Sequence, residues 1–168
     1  MTAIQLFILA LFAQAAQVPW RVGLRSFGPI AYGMSLKEAS KAAGQEIKQG
    51  EELLDPGCSY AVTRALPPGA SLMVVNGRIA RVDVDSAGIP TLSGAEVGWT
   101  EDQIRRLYPG QIRTEPHPYT GPEGHYLVYV PRAPADRRYR IIFETDGKRV
   151  LSYRAGRQPA VSWIEGCS

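Results

Sequence analysis

The sequence is poor in the residues that mark catalytic and metal sites. It has two histidines and two cysteines among 168 residues, and its first 15 residues contain no Lys, Arg, Asp or Glu. It contains no glycine-rich loop of the kind that cradles phosphate groups. No cysteine precedes Cys58, which excludes a lipid-attachment cysteine near the N-terminus. These absences leave no motif that assigns a reaction or a cofactor.

The N-terminal 15 residues have the pattern of a signal peptide. Residues 4–12 are almost entirely apolar, and Ala13-Gln14-Ala15 fits a small-x-small cleavage site. The usual basic segment before the apolar run is missing, so an uncleaved membrane anchor is the alternative. A run of about ten apolar residues is too short to cross a bilayer. We therefore expect cleavage after Ala15 and a periplasmic or secreted chain without a stable membrane anchor.

The composition is that of an ordinary globular protein, with 45% hydrophobic and 21% charged residues. The formal net charge of +3 is a mild excess, which permits an anionic partner without requiring one. Export would separate the chain from nucleic acid, so no nucleic-acid partner is expected.

Two similar stretches, residues 33–44 and 98–110, organise the rest of the chain. Each has a glycine, a bulky apolar residue, a hydroxyl residue and, three positions later, an acceptor side chain. This is the pattern of a helix capping box, and a following glycine is typical of a helix end. The cap pairs are Ser35 with Glu38 and Thr100 with Gln103, and the closing glycines are Gly44 and Gly110.

Strands are predicted after each helix, separated by turns. Asn76-Gly77 and Asp146-Gly147 are strong hairpin signals, whereas residues 45–57 and 114–124 read as loops. Residues 16–90 and 91–168 then form two units after the signal peptide, residues 1–15. We predict an α+β tandem repeat, in which short helices pack on one side of a joint antiparallel sheet. The predicted strands are residues 59–63, 71–75, 78–85, 125–130, 139–144, 148–153 and 160–165.

This arrangement resembles two known groups of proteins. The glycine-Met-Ser-Leu-x-Glu helix start at residues 33–38, followed by a meander, is similar to the SmpA/OmlA-type outer-membrane assembly lipoproteins. The tandem arrangement resembles the β-lactamase inhibitory proteins. The resemblance implies a protein-binding or envelope role on a non-enzymatic scaffold. The chain lacks a lipidated cysteine and a recognisable inhibitory loop, so no functional residue is carried over.

The two cysteines, Cys58 and Cys167, predict one disulfide bond, because an exported chain meets an oxidising environment. Such a bond would join the end of the second unit to the first. The alternative is a nucleophilic Cys58, but neither histidine is close to it in sequence.

His117 and His125 flank a loop with Glu115 and Glu123 nearby, and such residues can ligate a metal. Their spacing matches no standard metal motif, so we predict no metal, no cofactor and no catalytic residue here. The alternative function is a small exported hydrolase or metal-dependent enzyme that uses His117, Glu123 and His125.

A basic stretch offers a second type of site. The simplest interpretation of these basic residues is a solvated strand edge, where charge discourages aggregation. The alternative is a functional patch that binds an acidic partner. The residues of this patch are Arg132, Arg137, Arg138, Arg140, Lys148 and Arg149. The sequence favours an exported, non-enzymatic binding module for a protein or an anionic envelope component. A purely structural envelope factor is a third possibility.

Overall fold

The computed structural model describes residues 20–52 and 56–167. The predicted signal peptide lies outside the described residues. Within the described ranges, no helix has the length and hydrophobicity needed to cross a membrane.

Two short helices begin at the predicted capping boxes. Helix α1 is Leu36–Ala43 and helix α2 is Glu101–Leu107. In α1 the Glu38 amide donates to Ser35 Oγ over 3.3 Å, and the Ser35 amide donates to the Glu38 carboxylate over 2.8 Å. The same reciprocal pair forms between Thr100 and Gln103 in α2. Both capping-box predictions are therefore confirmed.

The two helices end differently. Helix α1 ends at Gly44, whose φ of +67° is the left-handed conformation that glycine adopts readily. Helix α2 ends at Tyr108, whose φ of −123° and ψ of 64° are not helical, and not at the predicted Gly110. Pro109 explains the difference, because a proline disfavours helical geometry at the residue before it.

The described residues form ten strands, numbered in chain order, and eight of them make one antiparallel sheet with the order β3-β4-β5-β6-β10-β9-β8-β7. Strands β1 and β2 form a separate hairpin. The bounds are β1 (Ser26–Phe27), β2 (Ile30–Ala31), β3 (Lys48–Glu52), β4 (Cys58–Val62), β5 (Ala70–Val75), β6 (Arg78–Val84), β7 (Ile112–Pro116), β8 (His125–Tyr129), β9 (Tyr139–Thr145) and β10 (Val150–Arg157).

Both predicted hairpin turns are confirmed. Asn76-Gly77 joins β5 to β6, and Asp146-Gly147 joins β9 to β10. The two hairpins meet in the middle of the sheet, where β6 pairs with β10.

The main core lies on the sheet face that carries the helices. Leu72 of β5 and Phe143 of β9 are fully buried there with Ala39 of α1 and Ile104 of α2. Alternate residues of the same strands point to the opposite face, which we call the far face. Two smaller clusters lie there, one around Met73 and one around Ile142.

The predicted fold class, an α+β tandem repeat with helices packed on a sheet, is wrong. The described part of the chain is mostly antiparallel β-sheet, with an eight-stranded and a two-stranded sheet and only two short α-helices. Each helix contributes one fully buried residue, Ala39 or Ile104. The sheet and the segments around it, not the helices, therefore supply most of the core.

Three segment predictions are also corrected. Strand β3 lies within residues 45–57, and strand β7 overlaps residues 114–124, both of which were predicted as loops. These two strands form the two edges of the eight-stranded sheet. Residues 160–165, predicted as a strand, contain a 3-10 turn at Ala160–Ser162. Arginine side chains, not a neighbouring strand, bind the carbonyl groups of this segment.

Candidate functional site

The C-terminal segment, residues 158–167, crosses the far face of the sheet. Its Ala160 packs with Met73, and its Val161 packs with Ile142. It ends at Cys167, which is bonded to Cys58 of β4 with 5.3 Å between the Cα atoms. The predicted disulfide is therefore confirmed, and the nucleophilic alternative for Cys58 is wrong. A disulfide of this kind is consistent with an exported protein.

Arg81, in the centre of β6, fixes the middle of the C-terminal segment. Its guanidinium donates to the carbonyl oxygens of Ala160 at 2.9 Å and Trp163 at 2.7 Å. It also pairs with Asp83 over 3.0 Å. Only 3% of Arg81 is exposed, so the residue is a buried cation whose donors are satisfied by backbone oxygens and a carboxylate.

Arg154, in the centre of β10, makes a parallel set of contacts. Its Nε donates to the Val161 carbonyl over 2.8 Å, and its Nη1 donates to the Glu144 carboxylate. The other Glu144 oxygen lies 3.4 Å from Nε2 of His117. Two buried arginines thus hold the C-terminal segment against the sheet.

An open groove of about 340 Å³ lies beside these arginines, and we call it the acidic groove. Its polar lining comes from neighbouring strands of the far face. The residues that line it are Gly69, Ala70, Ser71, Asp83, Val84, Asp85, Glu144, Ser152, Tyr153 and Arg154.

Burial raises the pKa of the Asp83 carboxyl, and the Glu144 charge adds to that effect. The Arg81 guanidinium opposes both by stabilising the carboxylate. The groove therefore presents hydroxyl groups and partly compensated carboxylates, which suit cationic or hydroxylated groups of a ligand.

A second groove of about 430 Å³, which we call the apolar groove, is formed by the other ends of β5, β6 and β10 together with the start of the C-terminal segment. Its walls are mainly hydrocarbon. The residues that line it are Gly33, Val75, Asn76, Arg78, Ile79, Ala80, Arg157, Gln158, Pro159, Ala160 and Trp163.

The histidines of the predicted loop do not come together. His117 packs on Tyr126 with 4.5 Å between ring centroids on the far face. Its Nδ1 accepts the backbone amides of Tyr119 and Thr120. His125 points to the helix face, where its Nδ1 lies 2.7 Å from Glu101. Glu123 is exposed in the loop, and the three residues of the alternative enzyme therefore share no site.

Glu115 also lies apart from the histidine contacts, since its carboxylate pairs with Arg113 over 2.6 Å. Among residues 20–52 and 56–167, no three His, Cys, Asp or Glu side chains gather as a metal site would require.

The six residues of the predicted basic patch fall into two groups. Arg132, Arg137, Arg138 and Arg140 lie at or before the start of β9, whereas Lys148 and Arg149 lie after its end. Strand β9 has seven residues, so the groups are separated by about 20 Å of strand. Arg140 is partly buried, and this desolvation lowers the pKa of its guanidinium.

The residues that hold the C-terminal segment on the far face are not evident from the sequence. The alternation of apolar and charged residues in β6 predicts that Arg81 and Asp83 face solvent, but this is wrong for Arg81, of which only 3% is exposed. Arg154 lies between the apolar residues Tyr153 and Ala155 in a central strand. This position in the sequence is a signal from which a buried arginine could be inferred.

No family model matches the chain, and no curated protein matches it. Among solved structures, it is similar to the uncharacterized protein yfeY from Escherichia coli, with 13% identity and a TM-score of 0.49, over 82% of this chain and 99% of that one. An extracellular protein containing an SCP domain from Bacillus anthracis str. Ames gives 8% identity and a TM-score of 0.45, over 76% of this chain and 44% of that one. Because both TM-scores are below 0.5, these similarities assign neither a fold nor a function to the chain.

Proposed function

We propose that the protein is an exported, non-enzymatic binding module, periplasmic or secreted, whose far face binds a protein or an envelope component. One observation supports this function most directly. The C-terminal segment is held across the far face and forms one side of the apolar groove, and Arg154, which binds this segment, also lines the acidic groove.

Rigidity is the property that makes these grooves suitable for binding. Arg81 and Arg154 hold the segment through three backbone carbonyls, and the disulfide holds its end. A preformed site loses less conformational entropy when a ligand binds than a mobile one does. Volumes of about 340 and 430 Å³ are also in the range of ligand sites.

Site-specific photo-crosslinking in the native host tests this function. A photoreactive residue would replace Ser71 or Ser152 at the acidic groove, and Lys37 or Asp102 on the helices as matched controls. We expect a discrete crosslinked species from the groove positions and none from the helix positions. Equal crosslinking from both faces, or none from the grooves, would contradict the proposal.

The hydrolase alternative has no supporting observation, because His117 and His125 contact different carboxylates on opposite faces.

A further inference from the structure

We propose that the apolar groove binds a single-chain anionic amphiphile, with the hydrocarbon chain in the groove and the acidic headgroup at Arg157 and Arg78. This inference rests on the proposed function and specifies its ligand class at one of the two grooves. Three features carry it: the apolar walls, the charge at one end and the pairing of the strands beneath.

The walls of the groove are suited to a hydrocarbon chain. Val75 and Ala80 form its floor, and Pro159 and Trp163 form the side that belongs to the C-terminal segment. Trp163 is partly exposed and packs with the Met73 cluster. Covering these side chains with a hydrocarbon chain would remove apolar surface from water, which is favourable in proportion to the area buried.

Two guanidinium groups converge on Gly33 at the end of this groove. Arg78 Nη1 donates to the Gly33 carbonyl oxygen over 3.0 Å. Arg157 lies against the same residue, since a Cβ atom at Gly33 would be 2.7 Å from Arg157 Nη1. Among the described residues, neither arginine forms an ion pair. The Glu38 carboxylate is hydrogen-bonded to Ser35, which lowers the pKa of Glu38, and the Arg78 charge makes a smaller contribution to the same shift.

An anion placed at this end of the groove would be attracted by both positive charges. Arginine is also suited to bind carboxylate and phosphate groups through paired hydrogen bonds. Charge complementarity therefore places the acidic headgroup at the Arg157 end and leaves the hydrocarbon chain to the apolar walls.

The strand pairing favours a hydrocarbon chain over a peptide. Beneath the groove, β6 is paired with β5 on one side. On the other side, the Ile79 amide donates to the Met34 carbonyl and the Ile79 carbonyl accepts from the Gly33 amide, so the floor offers no free edge to a peptide backbone at Ile79. A peptide buried here would leave amide groups without partners, which is costly. A hydrocarbon chain has no such groups.

Binding of defined amphiphiles to the purified, oxidised protein tests the inference. The probes are dodecanoate and dodecyl phosphate below their micelle concentrations, and dodecyltrimethylammonium is the control of opposite charge. Indole N–H signals in two-dimensional NMR report the position of binding, because Trp163 lines the groove while Trp20 and Trp99 pack on the helix-side core. The two anionic arms distinguish a carboxylate from a phosphate headgroup.

We expect either anion to shift the Trp163 signal, leave the other two signals in place and bind about tenfold or more tightly than the cation. Arg157→Gln should weaken binding of the anion by about tenfold, whereas Arg149→Gln, at the distant hairpin turn, should not. Melting curves of both variants establish that they are folded. Arg157→Lys, which keeps the charge, should restore part of the affinity.

Several results would overturn the inference. They are binding of the cation as tight as that of the anions, an unchanged affinity in Arg157→Gln, or equal shifts of all three tryptophans. Tighter binding of a peptide with an apolar C-terminal residue would assign the groove to peptides instead. A dimer in solution that buries Trp163 would assign it to a second copy of the chain. Crosslinking from Ser71 and Ser152 could still succeed in each case, so failure here is distinguishable from failure of the proposed function.

Discussion

Gly156 of β10 lies at a close approach to the neighbouring central strand, β6. A Cβ atom at this position would lie 2.4 Å from the Arg81 Cβ and 2.5 Å from the Ala80 carbonyl oxygen. Both neighbours belong to β6 close to the backbone, so neither can rotate away. A side chain at position 156 would therefore push β10 away from β6 at Arg81, the residue that binds the C-terminal segment.

Gly156→Ala should therefore destabilise the protein by about 1–3 kcal/mol, as overpacking of an interior does. Urea unfolding measures the loss. Leu151→Ala on the same strand is the control, because Leu151 is 49% exposed and should change stability much less. Equal losses in the two variants would contradict this explanation.

Arg81 provides a second prediction for a single residue. Arg81→Met keeps most of the side-chain volume but leaves Asp83 and the carbonyls of Ala160 and Trp163 without their donor. Removal of one partner from a buried ion pair costs about 3–5 kcal/mol. We expect a loss of that order in urea unfolding, together with faster hydrogen exchange at residues 160–163.

Arg106→Met is the matched control, since Arg106 is exposed on α2. A variant at Arg81 with unchanged exchange in the C-terminal segment would show that the arginine does not anchor it.

At the scale of elements, one hydrogen-bonded group ties α2 to the sheet. The Glu101 carboxylate accepts from Thr145 over 2.5 Å and lies 2.7 Å from His125 Nδ1. Burial acts to raise the pKa of Glu101, but hydrogen bonds from Thr145, His125 and Arg105 outweigh it, and the pKa lies below the usual 4.5.

A carboxylate with a lowered folded-state pKa stabilises the protein above its unfolded-state pKa and loses that contribution as pH falls. The stability difference between wild type and Glu101→Gln should therefore be largest near neutral pH and shrink below pH 4.5. Unfolding free energies measured across this range give the result, with Asp102→Asn as the control on the same turn. A difference that grows on acidification would contradict the assignment.

The elements differ in how far the sequence predicts them. Capping boxes and two-residue turns depend on local chemistry, so α1, α2 and both Gly77 and Gly147 turns were predictable. Strands β3 and β7 were not, because edge strands carry polar residues that discourage aggregation and so lack an apolar alternation. The apolar residues Ala160 and Val161 suggested a strand, but their carbonyls bind distant arginine side chains.

For the molecule as a whole, the disulfide closes a loop with a sequence separation of 109. The chain-entropy model gives a stabilisation of about 4–5 kcal/mol for a loop of this length. The double variant Cys58→Ser, Cys167→Ser should lose stability of that order in thermal and urea unfolding.

Thiol titration of the unfolded, unreduced wild-type protein should find no free thiol. Two free thiols, or a double variant that melts at the wild-type temperature, would contradict the role given to the bond. Arg81→Met in the same background measures whether the two anchors act together, because contacting sites are not additive.

The far face could be predicted only in part. Its disulfide followed from cysteine count and export, whereas its grooves depend on the contacts of Arg81 and Arg154 with a segment almost eighty residues from Arg81 in the chain. Such long-range pairing leaves no short motif.

The place of β10 in the sheet has a consequence for the order in which the protein can fold. Among the strands of the described residues, β10 comes last in sequence, yet it lies between β6 and β9. During synthesis or export from the N-terminus, β6 is complete long before its partner and exposes an unpaired edge. Such edges invite pairing with other chains. The pairing of β6 on this side is therefore completed only when residues 150–157 are available, and a chaperone bound to the nascent chain would protect the open edge during that interval.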